Sequence, residues 1–169
     1  MADLPKHDRL QPALLDRLTD NEPTAKVESP DKRVFTIARL RQSVLRDLNW
    51  LFNATQMATL DDLENHPHVA NSVVNYGIPA FSGTTVSGVD LRNMEFALHQ
   101  AIADFEPRLL ADSLRVTARH VEDSEHHYNK LSFEIECKLW AQPAPIALLL
   151  HTDVDLESGH TAVKEAGSR

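Results

Sequence analysis

Leu131-Ser132-Phe133-Glu134-Ile135-Glu136-Cys137-Lys138-Leu139 alternates apolar and polar side chains without exception. Successive side chains of a β-strand point to opposite faces, so Leu131, Phe133, Ile135, Cys137 and Leu139 share one face and Ser132, Glu134, Glu136 and Lys138 the other. The period predicts a strand with one buried and one wet face. The same period holds on both sides of it. Upstream, Leu114-Arg115-Val116-Thr117-Ala118-Arg119 alternates, with the acidic, His-containing EDSEHHYN at 122–129 between the two strands. Downstream, AQPAP at 141–145 leads into a third strand from Ile146 to about Val154; Glu157-Ser158-Gly159 is a turn, and His160 to Lys164 a short last strand. Consecutive strands joined by short turns form an antiparallel meander.

Before residue 106 the period is helical. Ile37, Leu40, Val44, Leu45, Leu48, Leu51 and Phe52 recur at three- and four-residue steps, which predicts a helix from about Thr36 to Ala54 with one apolar stripe. A second runs from about Asp90, a good N-cap, to Phe105, with Leu91, Met94, Leu98, Ala101, Ile102 and Phe105 as its stripe. Pro107 ends it, because proline lacks the N–H and pushes Glu106 towards extended backbone. Between the two helices, Val69, Val73 and Val74 predict a short helix stopped at Asn75-Tyr76-Gly77, with Gly77 as a positive-φ cap. Helices first and a meander after them give an α+β fold: two main helices packed on a three- to four-stranded antiparallel C-terminal sheet.

Residues 1–34 form a flexible N-terminal arm. Prolines at 5, 12, 23 and 30 break it, and Leu10, Leu14, Leu15 and Leu18 give it one short amphipathic helix. That turn docks either on the protein's own core or on a partner. Residues 35–164 then form one α+β domain, with 165–169 as a tail.

Composition removes several functions. Lys and Arg number 17 against 25 Asp and Glu, a net charge of −8, and the bases are scattered, which speaks against nucleic acid as a partner. Five glycines without G-x-G-x-x-G or a following Lys-Ser/Thr leave no phosphate-binding loop. MADLPKHDRL at the start leads into no apolar signal segment, and the longest aliphatic run, Ile146 to Leu150, is far below the about 20 residues of a membrane helix. The expectation is a soluble cytoplasmic protein with no direct membrane insertion. The lone Cys137 lies on the apolar face and serves as a small core residue.

Chemistry-bearing patterns are few. Of nine histidines only His66-Pro67-His68 and His126-His127 are close pairs, and neither has the spacing of a zinc site, so no metal and no cofactor is expected. Serines 82 and 87 lie beside glycines without the G-x-S-x-G elbow, and no carboxylate pair stands out among 25 acids, so no catalytic residue is assigned. Two features remain. In Phe105-Glu106-Pro107-Arg108-Leu109, extended backbone would set Glu106 and Arg108 side by side, either to meet a partner carboxylate or as an exposed ion pair closing the junction. The edges of the meander, in turn, are either guarded by Lys130, Glu134, Glu136 and Lys138 or used for strand addition.

In this order LLDRL (14–18), LRDLNWLFN (45–53), SVVNYGIPAFSG (72–83), FEPRL (105–109) and TDVDLESG (152–159) resemble the TssE family of type VI secretion baseplate wedge proteins and, with it, the contractile phage-tail wedge proteins. Asn53-Ala54-Thr55 replaces the family's usual Asn-Thr-Arg, and Val74 its usual Leu before Asn-Tyr-Gly. The resemblance implies a structural, non-enzymatic subunit in the cytoplasm at an inner-membrane-docked baseplate. Its implied partners are the baseplate proteins TssF, TssG and TssK and the sheath proteins TssB and TssC. It also implies that Glu106, Pro107 and Arg108 hold the wedge core, that Asn75, Tyr76 and Gly77 form a motif turn, and that the terminal sheet templates the sheath. For that sheet the residues named are Leu131, Phe133, Ile135, Ile146, Leu148 and Leu150. A lysozyme-like peptidoglycan-cleaving enzyme is the competing class, from a label some phage relatives have carried.

Overall fold

The computed structural model describes residues 12–20, 23–24, 36–59, 63, 65–70, 72–80, 90–119, 130–141 and 143–167. In chain order the helices are α1 (Leu14–Leu18), α2 (Ile37–Phe52), α3 (Pro67–Ala70) and α4 (Leu91–Phe105), followed by β1 (Arg115–Arg119), β2 (Lys130–Leu139), β3 (Ile146–Asp155) and β4 (Thr161–Glu165). The strands form one antiparallel sheet in the order β1-β2-β3-β4. This is the α+β meander that the two periods predict. The loop at 122–129 with His126 and His127, serines 82 and 87, and Leu10 lie outside the described residues.

Both long helices start where their caps say. Thr36 Oγ1 accepts the Arg39 N–H at 3.2 Å, and Asp90 Oδ1 accepts those of Arg92 and Asn93 at 3.1 and 3.3 Å. Their stripes meet the sheet. Leu40, Val44, Leu48, Leu51 and Phe52 of α2 and Met94, Leu98, Ala101 and Ile102 of α4 are buried with Leu131, Phe133, Ile135, Cys137, Leu139, Leu148, Leu150 and Val154. Burying a side chain of that size contributes about 1.5–3 kcal/mol, which is why one continuous apolar seam fixes the two layers. The other sheet face is wet and polar, with Arg119 forked onto Glu134 at 2.6 Å and Ser132 donating to Asp153 at 2.7 Å.

Helices also engage both sheet edges, β4 at two backbone pairs and β1 at one donor. On β4, Asn49 of α2 accepts the Val163 N–H at 3.0 Å and donates to the Val163 carbonyl at 3.3 Å, and Asn53 does the same for Thr161 at 3.0 and 2.8 Å. Each carboxamide thus makes the two bonds that the facing residue of an antiparallel strand would make. Arg41 continues the line, reaching Glu165 at 2.9 Å. On β1, Glu95 of α4 accepts the outward Ala118 N–H at 2.6 Å.

The segment before Gly77 differs from its prediction. Instead of one helix through Val74 there are two pieces, α3 and a 3-10 turn at Val73–Asn75, and Val73 and Val74 face water. Ser72 starts the second piece by accepting the Val74 N–H at 3.3 Å, a local cap that competes with continuation. Gly77 does take a positive φ, +130°, but the reason is contact: a Cβ there would lie 2.4 Å from the Ala54 carbonyl oxygen. The chain passes so close because Ile78 donates to Ala54 at 2.9 Å and Gln56 to Ile78 at 3.0 Å. Buried Asn75 ties the same loops, donating to the Ala70 carbonyl and accepting the Ala58 N–H, both at 2.8 Å.

Candidate functional site

Glu106 caps the C-terminus of α4, and only 3% of it is exposed. The backbone then turns: Leu109 N–H reaches the Glu106 carbonyl at 3.1 Å, and Arg108 N–H the Glu106 Oε1 at 3.2 Å. Glu106 and Arg108 therefore pair across a tight turn, and not on the extended backbone that Pro107 suggested; the pair is folded inward. Pro107 is the exposed tip.

A buried carboxylate needs a partner, and Arg108 supplies one. Its Nε donates to Glu106 Oε1 at 2.6 Å and its Nη2 to Oε2, a fork on both oxygens. The same guanidinium crosses to α2, donating from Nη2 to Asp47 Oδ2 at 2.6 Å and from Nη1 to Ser43 Oγ at 2.8 Å. Burial alone would lower the arginine pKa; the bonds and charges of Glu106 and Asp47 outweigh it and raise it, so the cation is permanent.

The network continues through α2. Asp47 Oδ1 accepts from Arg46 Nε at 2.8 Å, so one carboxylate bridges two guanidiniums. Arg46 Nη1 reaches Asp16 on α1, and Ser43 Oγ–H donates to the other Asp16 oxygen at 2.7 Å. Three carboxylates and two guanidiniums thus connect α1, α2 and the α4–β1 junction, with buried Ser43 as the hub. Burial raises the Asp16 pKa, but the hydrogen bonds from Arg46 and Ser43 prevail and hold it below the ordinary value.

Tyr76 brings the motif turn to the same place. Its ring meets Phe105 edge-on at 5.2 Å, and its hydroxyl lies 3.5 Å from the Asp47 carbonyl oxygen. Burial and the charges of Asp47 and Glu106 raise its pKa, so it stays a neutral phenol. On the strand side, Trp140 N–H donates to the Arg108 carbonyl at 2.7 Å and Leu110 N–H to that of Lys138 at 2.9 Å. Residues from 47, 76 and 105–109, distant in sequence, converge on one junction.

Of the residues named from sequence, Leu131, Phe133, Ile135, Leu148 and Leu150 lie in the core on the central strands β2 and β3, and Ile146, half-buried, opens β3. Asp16, Ser43, Arg46, Asp47, Asn49 and Asn53 are the residues that sequence reasoning missed. One signal was available: a serine inside the apolar stripe, beside Val44, marks a place where the helix face meets something polar.

A family model described as baseplate wedge protein gp25 matches residues 38–144, from the start of α2 to the end of β2 and just beyond. No curated protein and no solved structure matches the chain. That span covers well over half of the sequence and includes the whole α2–α4–β1 junction, and so the chain belongs to the gp25 family of baseplate wedge proteins, structural components of phage-tail-like baseplates.

Proposed function

We propose that the chain is the TssE-type wedge subunit of a type VI secretion baseplate. It would bind TssF, TssG and TssK at the inner-membrane-docked assembly and start the TssB–TssC sheath. The observation that carries this reading is the junction itself. Four of the five segments in which the chain resembles that family, those at 14–18, 45–53, 72–83 (through Tyr76) and 105–109, meet at the Arg108 network. The fifth, 152–159, lies on β3 and the turn after it. In this reading the network fixes the angle between α2, α4 and the sheet, and the exposed Pro107 turn, backed by Arg108, is what the wedge partners grip. Residues 35–164 work as one domain and the arm as an appendage.

The sheet is the sheath template. Its apolar residues Leu131, Phe133, Ile135, Ile146, Leu148 and Leu150 set the register and curvature, while the sheath meets edge backbone. The β1 edge is the better candidate, because α2 guards β4 at two successive backbone pairs and α4 guards β1 at the Ala118 N–H.

Co-expression with the neighbouring baseplate proteins, followed by size-exclusion chromatography, tests both parts. Pro107→Ala should keep the native fold and lose the wedge complex. Val116→Pro removes a β1 donor on the same side as that of Ala118 and should block sheath growth with the wedge complex intact. Native-strength wedge binding by Pro107→Ala would refute the motif's role, and normal sheath growth from Val116→Pro would refute templating by β1.

A further inference from the structure

The short helix α1 sits on the body in an inverted way. Leu14, Leu15 and Leu18 are 70%, 42% and 73% exposed, and no residue of α1 is buried. What faces the protein is Asp16, whose side chain is 15% exposed. Five residues are far too few to hold a helix by themselves. The side-chain bonds that tie α1 to α2 are made by its carboxylate, Asp16.

The receptor for that carboxylate belongs to α2. Ser43, 4% exposed, donates its hydroxyl hydrogen to Asp16 Oδ2 at 2.7 Å, while its oxygen accepts from Arg108 at 2.8 Å. Arg46 takes the other oxygen, and Arg46 is itself held in place by Asp47 at 2.8 Å and by the Trp50 ring, 5.1 Å from its guanidinium carbon. A hydroxyl for one oxygen and a preset guanidinium for the other describe a site built for a carboxylate. If it is left empty, a buried hydroxyl loses its acceptor.

We propose that this Ser43–Arg46 receptor takes an aspartate or glutamate side chain from a partner chain, carried on an exposed helical turn, and that Asp16 is an intramolecular placeholder that leaves when the partner arrives. Charge complementarity favours this occupant, since one carboxylate replaces another and the net charge of the network is unchanged. Through Ser43 the exchange would be felt at Arg108. The inference needs only an acidic partner and stands apart from the wedge reading.

The test uses full-length protein and a fluorescent peptide copying residues 12–20, PALLDRLTD. In fluorescence polarisation the Asp16→Asn chain should bind this peptide at least tenfold more tightly than the unaltered chain, and trypsin should cut it faster after Arg17. The same peptide with Asp16→Asn should not bind. Adding Arg46→Lys to the Asp16→Asn chain keeps the charge but loses the fork, and should weaken binding about tenfold, with circular dichroism confirming the fold; Ser43→Ala serves as the second variant. Equal binding by the unaltered and Asp16→Asn chains, no binding to either, or binding indifferent to the peptide carboxylate would each overturn the proposal. A wedge complex that fails to form while the peptide binds as expected would count only against the proposed function.

Discussion

Arg108 is the residue whose loss costs most beyond its own contacts. Removing it leaves Glu106 buried without a counter-charge, a defect of about 3 kcal/mol or more. Arg108→Ala should therefore lower the midpoint of urea unfolding, and Glu106→Gln in the same chain should restore part of the loss. A midpoint unchanged in Arg108→Ala would show that the fork contributes nothing. A wedge-binding experiment with Arg108→Ala thus mixes folding with contact, which is why the exposed Pro107 is the cleaner probe. Gly77→Ala makes a second test. A positive φ alone should cost about 1 kcal/mol, and the 2.4 Å approach to the Ala54 carbonyl should raise the loss in urea unfolding to about 2 kcal/mol or more. Glu106-Pro107-Arg108 was visible in the sequence as a paired unit. Its burial was not, because the groups that complete it lie far upstream on α2: Asp47 on a face that reads as solvated, and Ser43 as a small residue within the apolar stripe.

At the scale of elements, both long helices and all four strands could be read from period and caps. Asp90 caps where expected, the first helix starts at Thr36 as its stripe indicates, and the 131–139 alternation gives the core face residue by residue. Val73 and Val74 misled because apolar residues at helical spacing do not by themselves say that anything lies opposite them, and both face water. The closing of the β4 edge was equally hidden. Asn49 and Asn53 look like ordinary polar-face residues, yet they occupy the bonding positions of a missing fifth strand. Replacing both with alanine should cost about 1–2 kcal/mol and expose two unpaired backbone donors on β4. The double variant is expected to elute earlier from size-exclusion columns as its concentration rises. Monomeric elution at all concentrations would mean that α2 blocks the edge by bulk alone.

For the whole molecule, the polar network and the sheet predict different behaviour at the two ends of the pH scale. Hydrogen bonds and charge hold the Asp16 pKa low against burial, and backbone N–H groups of Ser158 and Glu157 hold that of Asp155 low at the β3–β4 turn. A depressed carboxylate stabilises the fold fully above the unfolded value of about 4, and this contribution disappears as pH falls through the folded value. Acid should thus loosen the arm and that turn, and carboxyl NMR titration would detect it as two midpoints below that of a free aspartate. At the alkaline end the Cys137 thiol is pushed up to about 11 by burial and the charge of Glu106. Its raised value means stability is intact below the unfolded value of about 8.5 and declines as pH climbs towards 11. A thiol reagent at neutral pH should label Cys137 only in unfolded protein.

The asparagine pairing along β4 also sets a length. Four residues of helix advance about 6.0 Å, whereas two residues of strand advance about 6.7 Å, so the two rulers lose about 0.7 Å of registry at every rung. Asn53 and Asn49 meet Thr161 and Val163 closely; the next helix position at that spacing is Leu45, which has no group to offer, and Glu165 is reached instead by the long side chain of Arg41, eight residues and about 12 Å of helix before Asn49. A third rung, at 45 against 165, would be about 1.4 Å out of step with the first, which a short carboxamide cannot make up. The mismatch works as a vernier: a straight helix can stand in for a strand over two rungs only, which suits an edge strand as short as the five-residue β4.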